Sequence, residues 1–236
     1  MKQLFYFIVM QLPLFALADM QDMHKDAYSL VKSINFHQLE WQKNAQEEAM
    51  LAWDFSTWIS GGDEKWWLKS EGKASENDTE GGYVQMLYSE PVSAFWDLQI
   101  GFHSQIEPYE ENYVLIGFFG LAPYFIHLDS YLLLNSNGDA IWQLDADYDM
   151  KLSRNWVMLV EGSISAQAQN KPEAGLGSGL SEGELGIRVA YNRQRKLVPY
   201  IGIEWERAFG NTADIRDNLQ EPNSEWRGVV GINMWY

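Results

Sequence analysis

Over the stretch AIWQLDADYDMKL (140–152), apolar and polar residues alternate strictly from Trp142 onward. The even positions are Ala140, Trp142, Leu144, Ala146, Tyr148, Met150 and Leu152; the odd ones are Ile141, Gln143, Asp145, Asp147, Asp149 and Lys151. Side chains repeat every second residue only in a β-strand, so this stretch has one aromatic and aliphatic face and one face dominated by carboxylates. The pattern recurs. In 95–105, Trp96, Leu98, Ile100 and Phe102 oppose Asp97, Gln99, His103 and Gln105. In 156–168, Trp156, Met158, Val160 and Ile164 oppose Glu161, Ser163, Ser165 and Gln167. In 182–193, Leu185, Ile187, Val189 and Tyr191 oppose Glu182, Glu184 and Arg188, and in 199–209, Ile201, Ile203, Trp205 and Phe209 oppose Glu204 and Glu206.

A soluble sandwich and a membrane barrel both show this period. Strand length, aromatic content and an export signal separate them. Several runs reach ten residues or more, enough for a tilted strand to cross a bilayer, and the 11 Trp and 12 Tyr suit the aromatic belts at its two interfaces. The opening MKQLFYFIVMQLPLFALA (1–18) has a basic start at Lys2, a short apolar run and a small-residue cleavage site after Ala18, the form of a secretory signal. No other stretch approaches twenty apolar residues, so an exported chain of this kind crosses a membrane only as a closed barrel.

The readable runs are 49–59, 65–73, 82–89, 95–105, 113–121, 124–135, 140–152, 156–168, 182–193, 199–209 and 225–236. Eleven is an odd count, and a single-chain bacterial barrel has an even one. The expectation is therefore an all-β, antiparallel transmembrane β-barrel of the bacterial outer membrane with about 12 strands, with 10 as the fallback; a missing first strand would lie near SLVKSINFHQLEW. Residues 1–18 are assigned to the signal, 19–48 to a polar N-terminal extension and 49–236 to the barrel. Short links such as SRN (153–155) and RQRKL (193–197) alternate with long ones, QNKPEAGLGSGL (169–180) and GNTADIRDNLQEPNSE (210–225), as periplasmic turns and extracellular loops do. The Gly-rich link carries no lysine after its glycines and leads into a strand, so it reads as a loop with positive-φ positions rather than a phosphate cradle. In GVVGINMWY, Val230, Ile232, Met234 and the terminal Tyr236 share one face, resembling the signal by which such barrels are assembled.

Composition narrows the chemistry. A net charge of −16 disfavours nucleic acid as a partner and suits cations. The absence of cysteine excludes disulfides, thiolate metal sites and cysteine catalysis.

Five segments in order resemble the outer-membrane copper resistance protein B family: WISGGDEKWWLKSEG (58–72), LYSEPVSAFWDLQIG (87–101), GLAPYFIHLDSYL (120–132), GLGSGLSEGELGIRVAYN (175–192) and PYIGIEWERAFGNTAD (199–214). They cover roughly residues 51 to 236. The resemblance implies a monomeric outer-membrane barrel that handles copper between the exterior and the periplasm, in contact with lipid, with copper ions as cargo and a periplasmic copper-binding protein as a partner. Family members often carry long Met- and His-rich N-terminal stretches; here that region offers Met20, Met23 and His24, and Glu90 stands where the family suggests an arginine.

Parity assigns Asp54, Glu71, Asp97, Asp129, Asp145, Asp147, Asp149, Glu161, Glu182, Glu184, Glu204 and Glu206 to the lumen, with Lys69, Lys151, Arg188 and Arg227 as bases. Each excess carboxylate in such an interior must be hydrated, paired, protonated or metal-bound. The candidate metal ligands are His103, the same-face pair His127 and Asp129, the run Asp145, Asp147 and Asp149, and Met20, Met23 and His24; imidazole with carboxylate suits Cu(II), thioether with imidazole suits Cu(I). His24 and His37 otherwise read as solvent-exposed polar residues. The favoured function is an outer-membrane copper-resistance barrel whose acidic lumen binds and conducts copper, with no catalytic residue and no organic cofactor. The alternatives are a closed structural or adhesion barrel with a salt-bridged interior and a membrane-embedded hydrolase.

Overall fold

The computed structural model describes residues 30–44, 48–75, 79–107, 110–192 and 196–236. The signal assignment (1–18), residues 19–29 and 45–47 of the expected extension, and with them Met20, Met23 and His24, lie outside the described residues. Twelve antiparallel strands form a single closed barrel. They are β1 (Val31–Asn44), β2 (Ala49–Ser60), β3 (Lys65–Ser75), β4 (Thr79–Pro91), β5 (Trp96–Glu107), β6 (Glu111–Ala122), β7 (Ile126–Leu134), β8 (Ala140–Lys151), β9 (Trp156–Gln167), β10 (Gly179–Tyr191), β11 (Leu197–Ala208) and β12 (Ser224–Trp235). Each strand pairs with its sequence neighbours, and β1 closes the ring on β12. A strand of 12 residues rises roughly 40 Å and, tilted by roughly 45°, covers the roughly 25–30 Å of hydrocarbon. Closure leaves no open sheet edge, which lipid would not tolerate.

The barrel therefore begins at Val31, and residues 31–44 of the stretch expected as a polar extension are β1. A β-bulge hides this strand from a parity reading. Its register against β2 shifts between Phe36 and Gln38, and against β12 between Phe36 and Leu39. The outward residues run Ile34, Phe36 before the shift and Leu39, Trp41 after it, so the apolar set changes from even to odd and no single alternation spans the strand. The bulge also turns both His37 and Gln38 to the lumen, His37 beside Ser56 at 3.0 Å and Gln38 donating to Glu161 at 2.6 Å.

Elsewhere parity holds. Ile100, Phe102, Val114, Ile116, Ile201 and Val230 all stand exposed on the outer face, the face that meets lipid. The lumen is not uniformly polar, however. Trp67, Leu87, Tyr113, Leu115, Tyr131, Leu133 and Ile141 form a buried cluster inside the wall made by β3, β4, β6, β7 and β8. Where the cluster sits, the wall is apolar on both faces, which is why segments such as YLLL read as continuous apolar runs.

The two long links leave the same end of the barrel. Residues 168–178 carry positive φ at Gly175, as expected of a Gly-rich loop. Residues 209–223 contain a helix, α1 (Gly210–Leu219), where an irregular loop was expected. Its apolar period is weak, so the sequence gives little sign of it; tertiary contacts hold it instead. Thr212 is fully buried, its hydroxyl accepting from the Gly177 N–H at 2.9 Å. Arg216, in the last turn where a cation favours the helix dipole, pairs with Glu182 and, at 3.4 Å, with Glu206.

A Cβ at Gly177 would run into the backbone of Asn211 and Thr212. Gly177→Ala is expected to part the 168–178 link from α1, costing about 1–3 kcal/mol locally. Amide hydrogen exchange should then accelerate at 177–178 and 211–216 and stay unchanged in the strands.

Candidate functional site

Inside the barrel, the charged residues divide into a paired group and an unpaired group. The paired group centres on Arg188, which projects from β10 and is 1% exposed. Its guanidinium contacts Glu40 through two nitrogens, Glu161 at 2.6 Å and Glu204 at 2.9 Å. Gly186 and Gly202 make room for it: a Cβ at either would strike the Arg188 side chain. Lys73 joins Glu184 at 2.9 Å, Glu204 at 3.2 Å and Glu206 at 3.8 Å. Arg227 joins Glu206 at 2.7 Å, Glu204 at 3.6 Å and Glu225. Glu204 and Glu206, adjacent on one face of β11, thereby bind this network together. Glu40, 0% exposed, belongs to β1, the first strand expected near SLVKSINFHQLEW, whose inward residues the sequence reading did not assign. Lys73 was legible, since it shares the parity of Lys69 and Glu71.

On the other side, Lys69 reaches Asp129 at 2.7 Å and the Tyr131 hydroxyl at 3.1 Å. Its ammonium stands 5.3–5.6 Å from the ring centres of Trp67, Phe119 and Tyr131. Lys65 pairs with Asp97 at 2.9 Å.

The unpaired group is Asp54, Glu71, Asp145, Asp147 and Asp149; none has a Lys or Arg partner among the described residues. The strand register places carboxylates directly opposite one another. Asp54 faces Glu71, Asp129 faces Asp145, and Asp147 lies between His127 and Glu161. Such neighbours have Cβ atoms roughly 4.5–5.5 Å apart, where like charges repel. These residues line a lumen cavity of about 500 Å³, together with His37 and His127. A second cavity of about 860 Å³ adjoins it at Asp149, bounded by Lys151, Arg154, Asn155, Tyr191 and Trp235 at the short-turn end.

All the acids assigned to the lumen by parity point inward, as do Lys69, Lys151, Arg188 and Arg227. The histidines differ among themselves. His103 is buried, stacked on Tyr83 at 4.7 Å, with Nδ1 3.0 Å from the Gln85 amide nitrogen and Nε2 3.0 Å from Gln105 Oε1. With Nδ1 accepting and Nε2–H donating, both nitrogens are engaged, and no free lone pair is left for an ion. His127 neighbours Asp147, as well as sharing a face with Asp129. His37, read from sequence as an exposed residue of the extension, is exposed but belongs to β1 and lines the lumen cavity. Among the described residues, no three His, Asp or Glu side chains converge closely enough to hold a metal ion as they stand.

At the long-link end, the buried Lys171 (7% exposed) pairs with Glu111 and with Asp139 at 2.9 Å, and donates to the Tyr113 hydroxyl at 3.0 Å. The Lys171 ammonium, helped by the Asn135 amide, holds the Asp139 carboxyl below the usual aspartate range.

Replacing Arg188 with Met would leave Glu40, Glu161 and Glu204 without their principal cation. We expect Arg188→Met to destabilise the folded barrel by about 3–5 kcal/mol, read as a lower midpoint of urea unfolding in lipid vesicles. Lys151→Met, at the wet mouth, should shift it by no more than about 0.5 kcal/mol.

The family model for the copper resistance protein B precursor (CopB) matches residues 30–236. A copper resistance protein B homolog from Pseudomonas syringae pv. tomato is 33% identical over 199 residues, covering 84% of this chain and 67% of the relative. Copper resistance protein B from Escherichia coli is 30% identical over 200 residues, with the same shares covered. Among solved structures, the KdgM porin superposes with a TM-score of 0.53 at 12% identity, covering 86% of this chain and 98% of the porin, a likeness of fold alone. A twelve-stranded barrel with an apolar outer face, matched over nearly all its described length, places this chain in the outer membrane and in the copper resistance protein B family.

Proposed function

We propose that the barrel captures copper ions in its lumen, through the carboxylates left without a cation and the imidazoles beside them. The observation that carries this reading is the register of β7, β8 and β9, which sets Asp145 beside Asp129 and Asp147 beside Glu161 in one cavity. Repulsion between such pairs is relieved by a bound cation or a proton, and a negative cavity concentrates cations by several kT of potential. His37 and His127 add nitrogen donors, which, with carboxylate, favour Cu(II) over harder ions. Asp149 links this cavity to the one at the short-turn end, the end that faces the periplasm in barrels of this class. The donors of the cavity are spread along several strands, and an ion that must leave again needs such weak, multiple contacts. Met20, Met23 and His24 would add thioether and imidazole donors near the root of β1, and a periplasmic copper-binding protein would exchange ions at the mouth.

The Arg188 network supports a second component of the reading, a salt-bridged and structural one. We assign it to shape rather than capture: Arg188 and Glu40 are sealed from water, so their charges are spent on each other.

The triple variant Asp145→Asn, Asp147→Asn, Asp149→Asn separates capture from structure. For a capture site, Cu(II) affinity of the purified barrel, measured by calorimetric titration, should fall at least about tenfold, roughly 1.4 kcal/mol. The metal-free barrel should at the same time gain about 0.2–1 kcal/mol per relieved pair. Unchanged copper affinity, together with a loss of stability, would overturn the proposal.

A further inference from the structure

Lys65, Lys69, Lys73, Arg188 and Arg227 inside the barrel each hold at least one carboxylate. Lys151 and Arg154, exposed at the short-turn end, have no ion-pair partner among the described residues. In a chain with 33 acidic residues against 17 basic ones, two unclaimed cations on one cavity are unexpected. Both line the cavity of about 860 Å³, beside Asn155, Asn192 and Trp235. The charge of this mouth is lopsided. Asp63, Glu64 and Glu90 are exposed on the side of β2 to β5, while Lys151, Arg154 and Lys196 are exposed on the side of β8 to β11. An acidic ligand is drawn to the second half and repelled by the first.

The chain itself carries such a ligand. β1 starts at this same end, with Val31 opposite Ser60 beside the 61–64 turn. The residues ahead of it, DMQDMHKDAYS (19–29), hold Asp19, Asp22 and Asp26 against the single Lys25. β9 is four strands from β1 by way of β12, roughly 20 Å along the wall at roughly 4.8 Å per strand. Extended chain covers roughly 3.3–3.6 Å per residue, so Asp19 and Asp22 come within reach of Arg154 and Lys151.

We propose that residues 19–29 fold back across the short-turn mouth and seat Asp19 and Asp22 on Arg154 and Lys151, so that the chain covers this end of its own lumen. Exposed ion pairs are individually weak and are screened by salt. A tethered ligand, however, meets its seat at an effective concentration on the order of millimolar, so a weak seat is still filled. Tyr191 and Trp235 on the cavity wall offer the aromatic faces that thioethers such as Met20 and Met23 favour. A second copy of the chain or an acidic partner would meet the same charges, but the tether gives the chain's own segment precedence. The inference is independent of the copper reading, and its test uses no metal.

The chain has no cysteine, so introduced pairs report proximity without background. One barrel carries Gln21→Cys with Asn155→Cys. The control carries Gln21→Cys with Ser93→Cys, in the turn between β4 and β5 on the acidic half, three strands from β1 the other way round. In lipid vesicles at low salt, under a mild oxidant, the first disulfide should form at least about tenfold faster than the second, read by mass spectrometry. At about 1 M salt, where the screening length falls to about 3 Å, that ratio should drop to within about threefold. Lys151→Glu with Arg154→Glu should abolish the preference at low salt, and adding Asp19→Lys with Asp22→Lys should restore it. All these positions lie at the mouth or ahead of β1, and each barrel is first required to migrate as folded before heating. Equal rates for the two pairs at low salt overturn the proposal, as does a preference for position 155 that survives the charge reversal. Cross-linked dimers in place of the intramolecular product would give the mouth to a second copy and overturn it too.

Discussion

Hydrocarbon accepts neither an open sheet edge nor an unpaired charge, and nearly every feature of this barrel follows from that restriction. Closure between β1 and β12 removes the edge. Once the ring is closed, the two-residue period leaves each strand with one face for lipid and one for the lumen. The aromatic and aliphatic sets take the outer face, and the acids have nowhere to go but inward. A chain with 33 acidic and 17 basic residues must then reconcile its carboxylates in a confined space. The fold does so unevenly. Arg188, Lys73, Arg227 and Arg216 draw the glutamates of β1, β9, β10, β11 and β12 into one continuous ion-pair network, while among the described residues the aspartates of β8 receive no base.

This unevenness matters more than the net charge. A lumen in which every acid had a base would be a filled plug, and one in which none had a base would expand or protonate. Breaking a buried pair costs more than forming it contributes, so the paired side resists rearrangement. The unpaired side is the opposite: repulsion is already present, and any arriving cation lowers it. Rigid support and electrostatic attraction are thus carried by different strands of one wall. The apolar cluster around Leu115 and Leu133 stands between the Lys171 ion pairs at the long-link end and the acidic cavity.

The barrel, its strand number and its inward acids were legible because they depend on local alternation, which survives in strands with one polar face. The family was legible from motif order. What was lost shares one cause: each missed feature is set by a relation between distant residues. The bulge at His37 and Gln38 reversed the parity of β1 and so concealed Glu40 and a lumen histidine. Leu115, Leu133 and Ile141 face inward although nothing in their chemistry says so, because their partners lie on neighbouring strands. Helix α1 depends on Thr212 and Arg216 finding Gly177 and Glu182, not on its own apolar period. His103 looked like a ligand in sequence; only the stacking of Tyr83 and the two glutamine side chains reveal that its nitrogens are occupied.

The bulge also bears on how copper would be handled. A regular β1 would alternate strictly and could turn only one of His37 and Gln38 inward. The extra residue lets Gln38 support Glu161, already bound by Arg188, while His37 reaches the same cavity as His127 and Asp147. One irregularity therefore joins the structural network to the unpaired acids, and it adds the second imidazole to a cavity that would otherwise hold one. With carboxylates alone, the cavity would be an oxygen-only site that hard ions such as calcium and magnesium also suit. Two imidazoles on facing parts of the wall would favour a borderline metal without closing a rigid site, as the proposed passage of copper requires.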